Sequence, residues 1–214
     1  MAVRIDLNVS LDGYATTTDQ TPEKPFGEDW GRLVSAYTAT RTFRARVLGD
    51  TSGAGTTGID EKYAQQYFED LGAEIMGAGM FGLHDHGEDP DWRGWWGEEP
   101  PFHVPVFVLT HTPRPSISFG NGTVFHFLDT TAEDALAHAV EAAQGGDVRV
   151  GGGVHTARQF LQARLVDRLH LAVAPIVLGR GESIWEGLRG LEDGYDVTSE
   201  VAESGTTHVV FTRR

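Results

Sequence analysis

The chain has 214 residues, of which 40% are hydrophobic and 22% charged, with 17 Lys and Arg against 31 Asp and Glu for a formal charge of −14. Such a charge opposes nucleic acid and anionic membranes as partners and leaves a small molecule as the expected ligand. The absence of cysteine excludes disulfides, thiolate metal sites and cysteine nucleophiles, and no apolar run approaches the ~20 residues of a membrane span, so a cytoplasmic protein is expected.

Val3, Ile5, Leu7 and Val9 alternate with polar residues, which predicts an opening strand that ends in the turn Ser10-Leu11-Asp12-Gly13-Tyr14. Residues 16–29, with Pro22, Pro25 and Gly27, read as a loop. Asp29 or Glu28 then opens a helix through Trp30, Leu33, Val34, Tyr37 and Phe43, one buried face at helical spacing. Residues 49–60 hold four glycines and almost no bulky apolar side chain, as in a mobile surface loop. Asp60 is placed to cap a helix from Glu61 to Leu71. A strand from Ala73 to Met76 leads into the glycine turn 77–82.

Residues 84–101 are unusual. His84, Asp85, His86, Glu88 and Asp89 are metal-ligand types without a recognised ligand spacing, so no metal is expected. Trp92, Trp95 and Trp96 follow within five positions, either docked on the core or walling a pocket for a flat ligand. Val104 to Leu109 is nearly continuous in apolar residues, as in a strand buried on both faces, and Thr110-His111-Thr112-Pro113-Arg114 gives it a polar end. Val124 to Leu128 is a further strand, and Thr131 to Ala143 a helix capped by Asp129 or Thr130.

The segment 147–161 speaks most directly about function. An apolar alternation through Val148 and Val150 runs into Gly151, Gly152 and Gly153, and then Ala157, Phe160, Leu161 and Leu165 fall at helical spacing. Backbone N–H groups converging at such a turn, with a helix dipole behind them, suit a pyrophosphate, although three glycines also make an ordinary tight turn. The spacing is not that of a Rossmann fingerprint. Leu169 to Val173 reads as a strand before Pro175, 176–181 as a third glycine turn, and Tyr195–Glu203 with Thr207–Arg213 as a hairpin.

Taken together, Ser10-Leu11-Asp12-Gly13-Tyr14, Met76-Gly77 with Met80-Phe81-Gly82, the segment Pro105 to Pro115, the triple glycine with Phe160-Leu161, and Asp167 to Leu171 with Pro175 and Leu178-Gly179-Arg180-Gly181 resemble the bacterial dihydrofolate reductase-like proteins related to the reductase domain of riboflavin biosynthesis, the RibD C-terminal domain family. The resemblance implies one α/β domain over 1–214: a dihydrofolate reductase-like three-layer sandwich with a mostly parallel central sheet, an antiparallel C-terminal hairpin and helices on both faces. It implies an NADPH-dependent reductase of a small pterin- or pyrimidine-like heterocycle, with a non-catalytic nucleotide-binding protein of the same fold as the alternative, and a possible homodimer. Cofactor contacts carry over to Val150, Gly151, Gly152, Gly153, Val154, His155 and Thr156, to Leu109, Thr110 and His111, and to Gly77, Ala78 and Met80. Leu11 and Gly13 would border the substrate, with Trp92, Trp95 and Trp96 as further walls, and Asp12 and Asp29 are the candidate proton donors or orienters. Relatives usually carry arginine where Ala78 stands, so the phosphates lack a cation unless His111 or Arg114 supplies it.

Overall fold

The computed structural model describes the chain except residues 17, 22 and 25. Pro22 and Pro25, part of the expected loop, therefore lie outside the described residues. In chain order the elements are β1 (Val3–Ser10), β2 (Tyr14–Thr16), α1 (Trp30–Leu33), α2 (Ser35–Thr38), α3 (Arg41–Arg46), α4 (Ile59–Phe68), β3 (Leu71–Gly77), α5 (Ala78–Phe81) and α6 (Leu83–His86). There follow β4 (Pro105–Leu109), β5 (Ile117–Ser118), β6 (Val124–Leu128), α7 (Ala132–Ala142), β7 (Asp147–Gly152), α8 (Val154–Gln162), β8 (Arg168–Ala174), β9 (Glu182–Ser183), β10 (Tyr195–Val201) and β11 (Thr207–Arg213). Among the described residues the main sheet has nine strands in the order β10-β11-β8-β1-β7-β3-β4-β6-β5, and β2 pairs with β9. By its internal packing the chain divides into two compact units, Met1–Ile5 with Asp70–Arg168 and Asp6–Glu69 with Leu169–Arg214.

In the first unit β7, β3, β4 and β6 run parallel, with β5 antiparallel on β6. The apolar run of β4 is explained by burial on both faces: Val106, Phe107 and Val108 are all buried. Charges also stand inside this sheet. Register places Glu74 of β3 beside Arg149 of β7, and Arg149 Nη2 lies 2.6 Å from Glu74 Oε2 with both side chains almost wholly buried. Thr131, not Asp129 or Thr130, caps α7, its hydroxyl accepting from Asp134 N.

In the second unit β10 and β11 form the expected antiparallel hairpin. The single helix expected from Asp29 to Phe43 is instead three short ones. Gly31 and Val34 weaken helix propensity, and Thr40 takes an extended conformation and caps α3 through Phe43 N, so the chain restarts there. Asp60 is not the cap of α4. Gly58 holds that position, because the Asp60 carboxylate is buried against His208. The glycine-rich segment before α4 is a surface loop anchored at both ends, by the Asp50–Arg44 ion pair and by the Thr40–Thr56 bridge.

Candidate functional site

The first unit assembles the segments that the sequence assigns to a cofactor. Strand register sets Gly77 beside Leu109 and Met76 beside Gly152, so the carboxyl ends of β4, β3 and β7 adjoin. Gly77 is required there: a Cβ on it would lie 2.4 Å from the Thr156 hydroxyl. Gly153 is the N-cap of α8 and no side chain caps that helix. The N–H groups of its first turn, at Val154, His155 and Thr156, have no partner within the helix, and the helix dipole adds its positive end.

The three glycines differ. A Cβ on Gly151 would fall 1.9 Å from Glu74 Oε1, Gly152 sits at φ 130°, and the space around Gly153 is open. Val150 and Val154 are buried in the core, so contacts with a ligand at these positions run through the backbone. Met80, expected at the cofactor, packs instead against the apolar cluster of Met76, Phe81, Phe125 and Phe127. Gly77-Ala78-Gly79 is not an open turn but the start of α5. His111 is fully exposed at the end of β4, its Nδ1 3.0 Å from Asp129. Arg114 is committed elsewhere, donating to the carbonyls of Asp89 and Pro90.

Those carbonyls belong to the tryptophan segment, whose rings pack on one another and on neighbouring aromatics while each stays partly exposed. Trp92 donates its indole N–H to the Phe81 carbonyl and stacks on His86 at 3.8 Å. Trp95 meets Trp92 edge-on at 4.6 Å, and Trp96 packs on Phe102 and Phe125. Among the described residues, no group of His, Asp and Glu is arranged to hold a metal, and no helix is long and apolar enough to cross a membrane.

The second unit holds Leu11, Asp12, Gly13 and Asp29. Asp12 is a staple between two turns: Oδ1 accepts from the Ser10 hydroxyl at 2.6 Å and from Leu178 N at 3.1 Å, and Oδ2 accepts from Gly179 N at 2.7 Å. The Ser10 hydroxyl and the two amides hold its pKa down at about 2. Asp29 is bound by Arg180 at 3.0 Å and by Arg32 at 2.6 Å; these guanidinium groups, Arg180 first, lower its pKa as well. Arg180 also reaches Asp19 and Glu28. Both candidate acids are thus held as carboxylates by their partners. Leu11 is exposed, and Gly13, at φ 86°, lies against the indole of Trp185, which a Cβ would approach to 3.0 Å.

Sequence reading missed Arg180 as the partner of Asp29, which lies 151 residues away. It also missed the Glu74–Arg149 pair, although charges between apolar neighbours, Ala73-Glu74-Ile75 and Val148-Arg149-Val150, are a visible sign of buried pairing.

The comparisons agree with this architecture. The family model for the RibD C-terminal domain matches residues 1–207. A candidate riboflavin biosynthesis protein from Shewanella sp. PV-4 shares the fold at TM-score 0.62 and 22% identity, over 100% of this chain and 99% of that one. A dihydrofolate reductase from Enterococcus faecalis, complexed with NADP(H) and RAB-propyl, aligns at TM-score 0.54 and 12% identity, over 100% of this chain and 96% of that one. No curated protein matches the chain.

Proposed function

The chain belongs to the RibD C-terminal domain family, and from that premise we propose that it is an NADPH-dependent reductase of a small pterin- or pyrimidine-like heterocycle. The observation that carries this reading is the junction of β4, β3 and β7 with the uncapped first turn of α8, where Gly77 leaves room for the Thr156 side chain and the space around Gly153 is open. NADPH, when bound, supplies the hydride. The amides of Val154, His155 and Thr156 would hold its pyrophosphate, and the exposed His111 would meet the adenosine side. In the second unit the Asp12 staple fixes the Leu11–Gly13 turn, and Arg180 pairs with Asp29 as a carboxylate. Both acids are held ionised by their partners.

That ionisation favours a second reading, in which the protein binds a nucleotide without turning it over. Titration with NADPH, followed by tryptophan fluorescence, tests the site common to both readings. Oxidation of NADPH across a panel of pterins and pyrimidines separates them: saturable binding with no oxidation of any member refutes the reductase, and no saturable binding refutes both.

A further inference from the structure

The second unit contains a buried line of four titratable side chains that the proposed chemistry does not use. Asp6 of β1, His170 of β8, His208 of β11 and Asp60 of α4 follow one another through three contacts. His170 Nδ1 is 3.0 Å from Asp6 Oδ1, His170 Nε2 is 2.9 Å from His208 Nδ1, and His208 Nε2 is 2.9 Å from Asp60 Oδ1. All four side chains are at least nine-tenths buried.

Three hydrogen bonds need three protons. Two neutral imidazoles supply one N–H each and two carboxylates supply none, so the line is one proton short unless it holds an additional one. Without that proton, two lone pairs face each other at one of the contacts, at a separation where only a hydrogen bond is favourable. With it, the line has one positive charge shared between rings that are nearly coplanar, at 11°.

A second feature answers the same need. The Tyr63 ring lies flat over both imidazoles, 4.3 Å from His170 and 4.1 Å from His208, with interplanar angles of 10° and 5°. An aromatic face attracts a cation. The Tyr63 hydroxyl donates to Glu200 of β10, which Lys62 also binds. Taken as a single ring, His208 is held below its ordinary value, by burial first and by the neighbouring His170 as well, against the pull of Asp60 and Glu200, so the added proton must be held by the geometry of the whole line. In such a line the proton belongs to the set and not to one ring.

We propose that Asp6, His170, His208 and Asp60 act as one acid–base unit that retains three protons above neutral pH and clasps α4 to β8 and β11 through the proton they share. The unfolded chain at pH 8 has both imidazoles neutral and both carboxylates charged, which is two protons, so folding takes one up. Raising the pH therefore favours the unfolded form, by about tenfold in the folding constant per pH unit, until the clasp loses its proton.

Replacing Asp60 by Asn gives an internal control. In Asp60→Asn the side-chain amide donates to His208 Nε2, which satisfies all three contacts with no added proton. Urea unfolding of the whole protein between pH 7 and 9 should show the alkaline slope in the wild type and its loss in Asp60→Asn. Nitrogen-15 histidine spectra of the wild type, with His170→Asn and His208→Asn for assignment, should show a doubly protonated ring in this pair at pH 8, where an ordinary imidazole is neutral. Equal pH slopes in wild type and Asp60→Asn, or two singly protonated rings at pH 8 in the folded wild type, would each overturn the proposal. If Asp60→Asn does not fold, the wild-type spectra alone decide.

Discussion

The triple glycine gives a sharp test because its members are held by different constraints. In Gly151→Ala the new methyl is placed 1.9 Å from Glu74 Oε1 and 3.0 Å from Glu74 Cδ, where non-bonded contacts settle at about 3.5–4.0 Å. The carboxylate must retreat by roughly 1.5 Å from a position where it is wholly buried and 2.6 Å from Arg149 Nη2. Deleting one partner of a buried pair costs about 3–5 kcal/mol. Displacement without deletion falls at the lower end, so about 3 kcal/mol is expected. Gly153→Ala meets no atom within 4 Å and needs no unusual φ, the native value being −67°, so its stability should stay within about 0.5 kcal/mol of the wild type. Its methyl stands at the cap of α8, however, and should weaken NADPH. Urea unfolding and NADPH titration of both variants check the contrast: a midpoint lowered by about 1–1.5 M for Gly151→Ala, and weaker cofactor binding at unchanged midpoint for Gly153→Ala. A Gly151→Ala protein as stable as the wild type would refute the reasoning from Glu74. Gly152 serves neither purpose, since at φ 130° any side chain strains the backbone itself.

Ala78→Arg places a cation at the start of α5 and should tighten NADPH by about 1.5 kcal/mol, with a steeper salt dependence; unchanged affinity for NADPH and NADH in a folded variant would remove this turn from the phosphate site. The Asp12 pKa is about 2 in the folded chain and about 3.9 in an unfolded one, so between these values the unfolded state binds more protons and stability rises with pH. Asp12→Asn should accordingly lose less stability than the wild type as pH falls from about 4 to 2, and thermal midpoints that fall in parallel would count against the staple. We also propose a homodimer, for which the exposed Val197 and Val201 on β10 offer an apolar surface; light scattering at the monomer mass of 23.3 kDa would dismiss it.

Alternation and apolar runs made β1, β4, β6, β7 and the β10–β11 hairpin readable, because each strand's burial is written in its own residues. The strands β2, β5 and β9, two or three residues each, were not readable, since their existence depends on a distant partner and not on a local pattern. The same distinction runs through the site. Gly151–Gly153 before α8 was legible from local residue types. Asp12 and Asp29 could be singled out but their long-range partners could not, because Leu178, Gly179 and Arg180 come from the far side of the sequence. Asp60 was read as a cap for the same reason: helix starts favour Asp, and only His208 shows why this carboxylate turns inward. The three tryptophans announced an aromatic cluster, but not its packing partners, since composition does not distinguish a ring face against Phe125 from one against solvent.

The interleaving of the two units also has a temporal side. A chain leaving the ribosome from its N-terminus has released every residue of the first unit by the time Arg168 emerges, whereas the second unit still awaits Leu169–Arg214. Until then α4 carries Asp60 and Tyr63 with neither histidine to receive them, and Asp29 waits for Arg180. The early polar residues of the second unit thus spend the longest part of synthesis without their partners. A nascent chain stalled after Arg168 should protect β3, β4 and β7 from protease while leaving α4 open to cleavage.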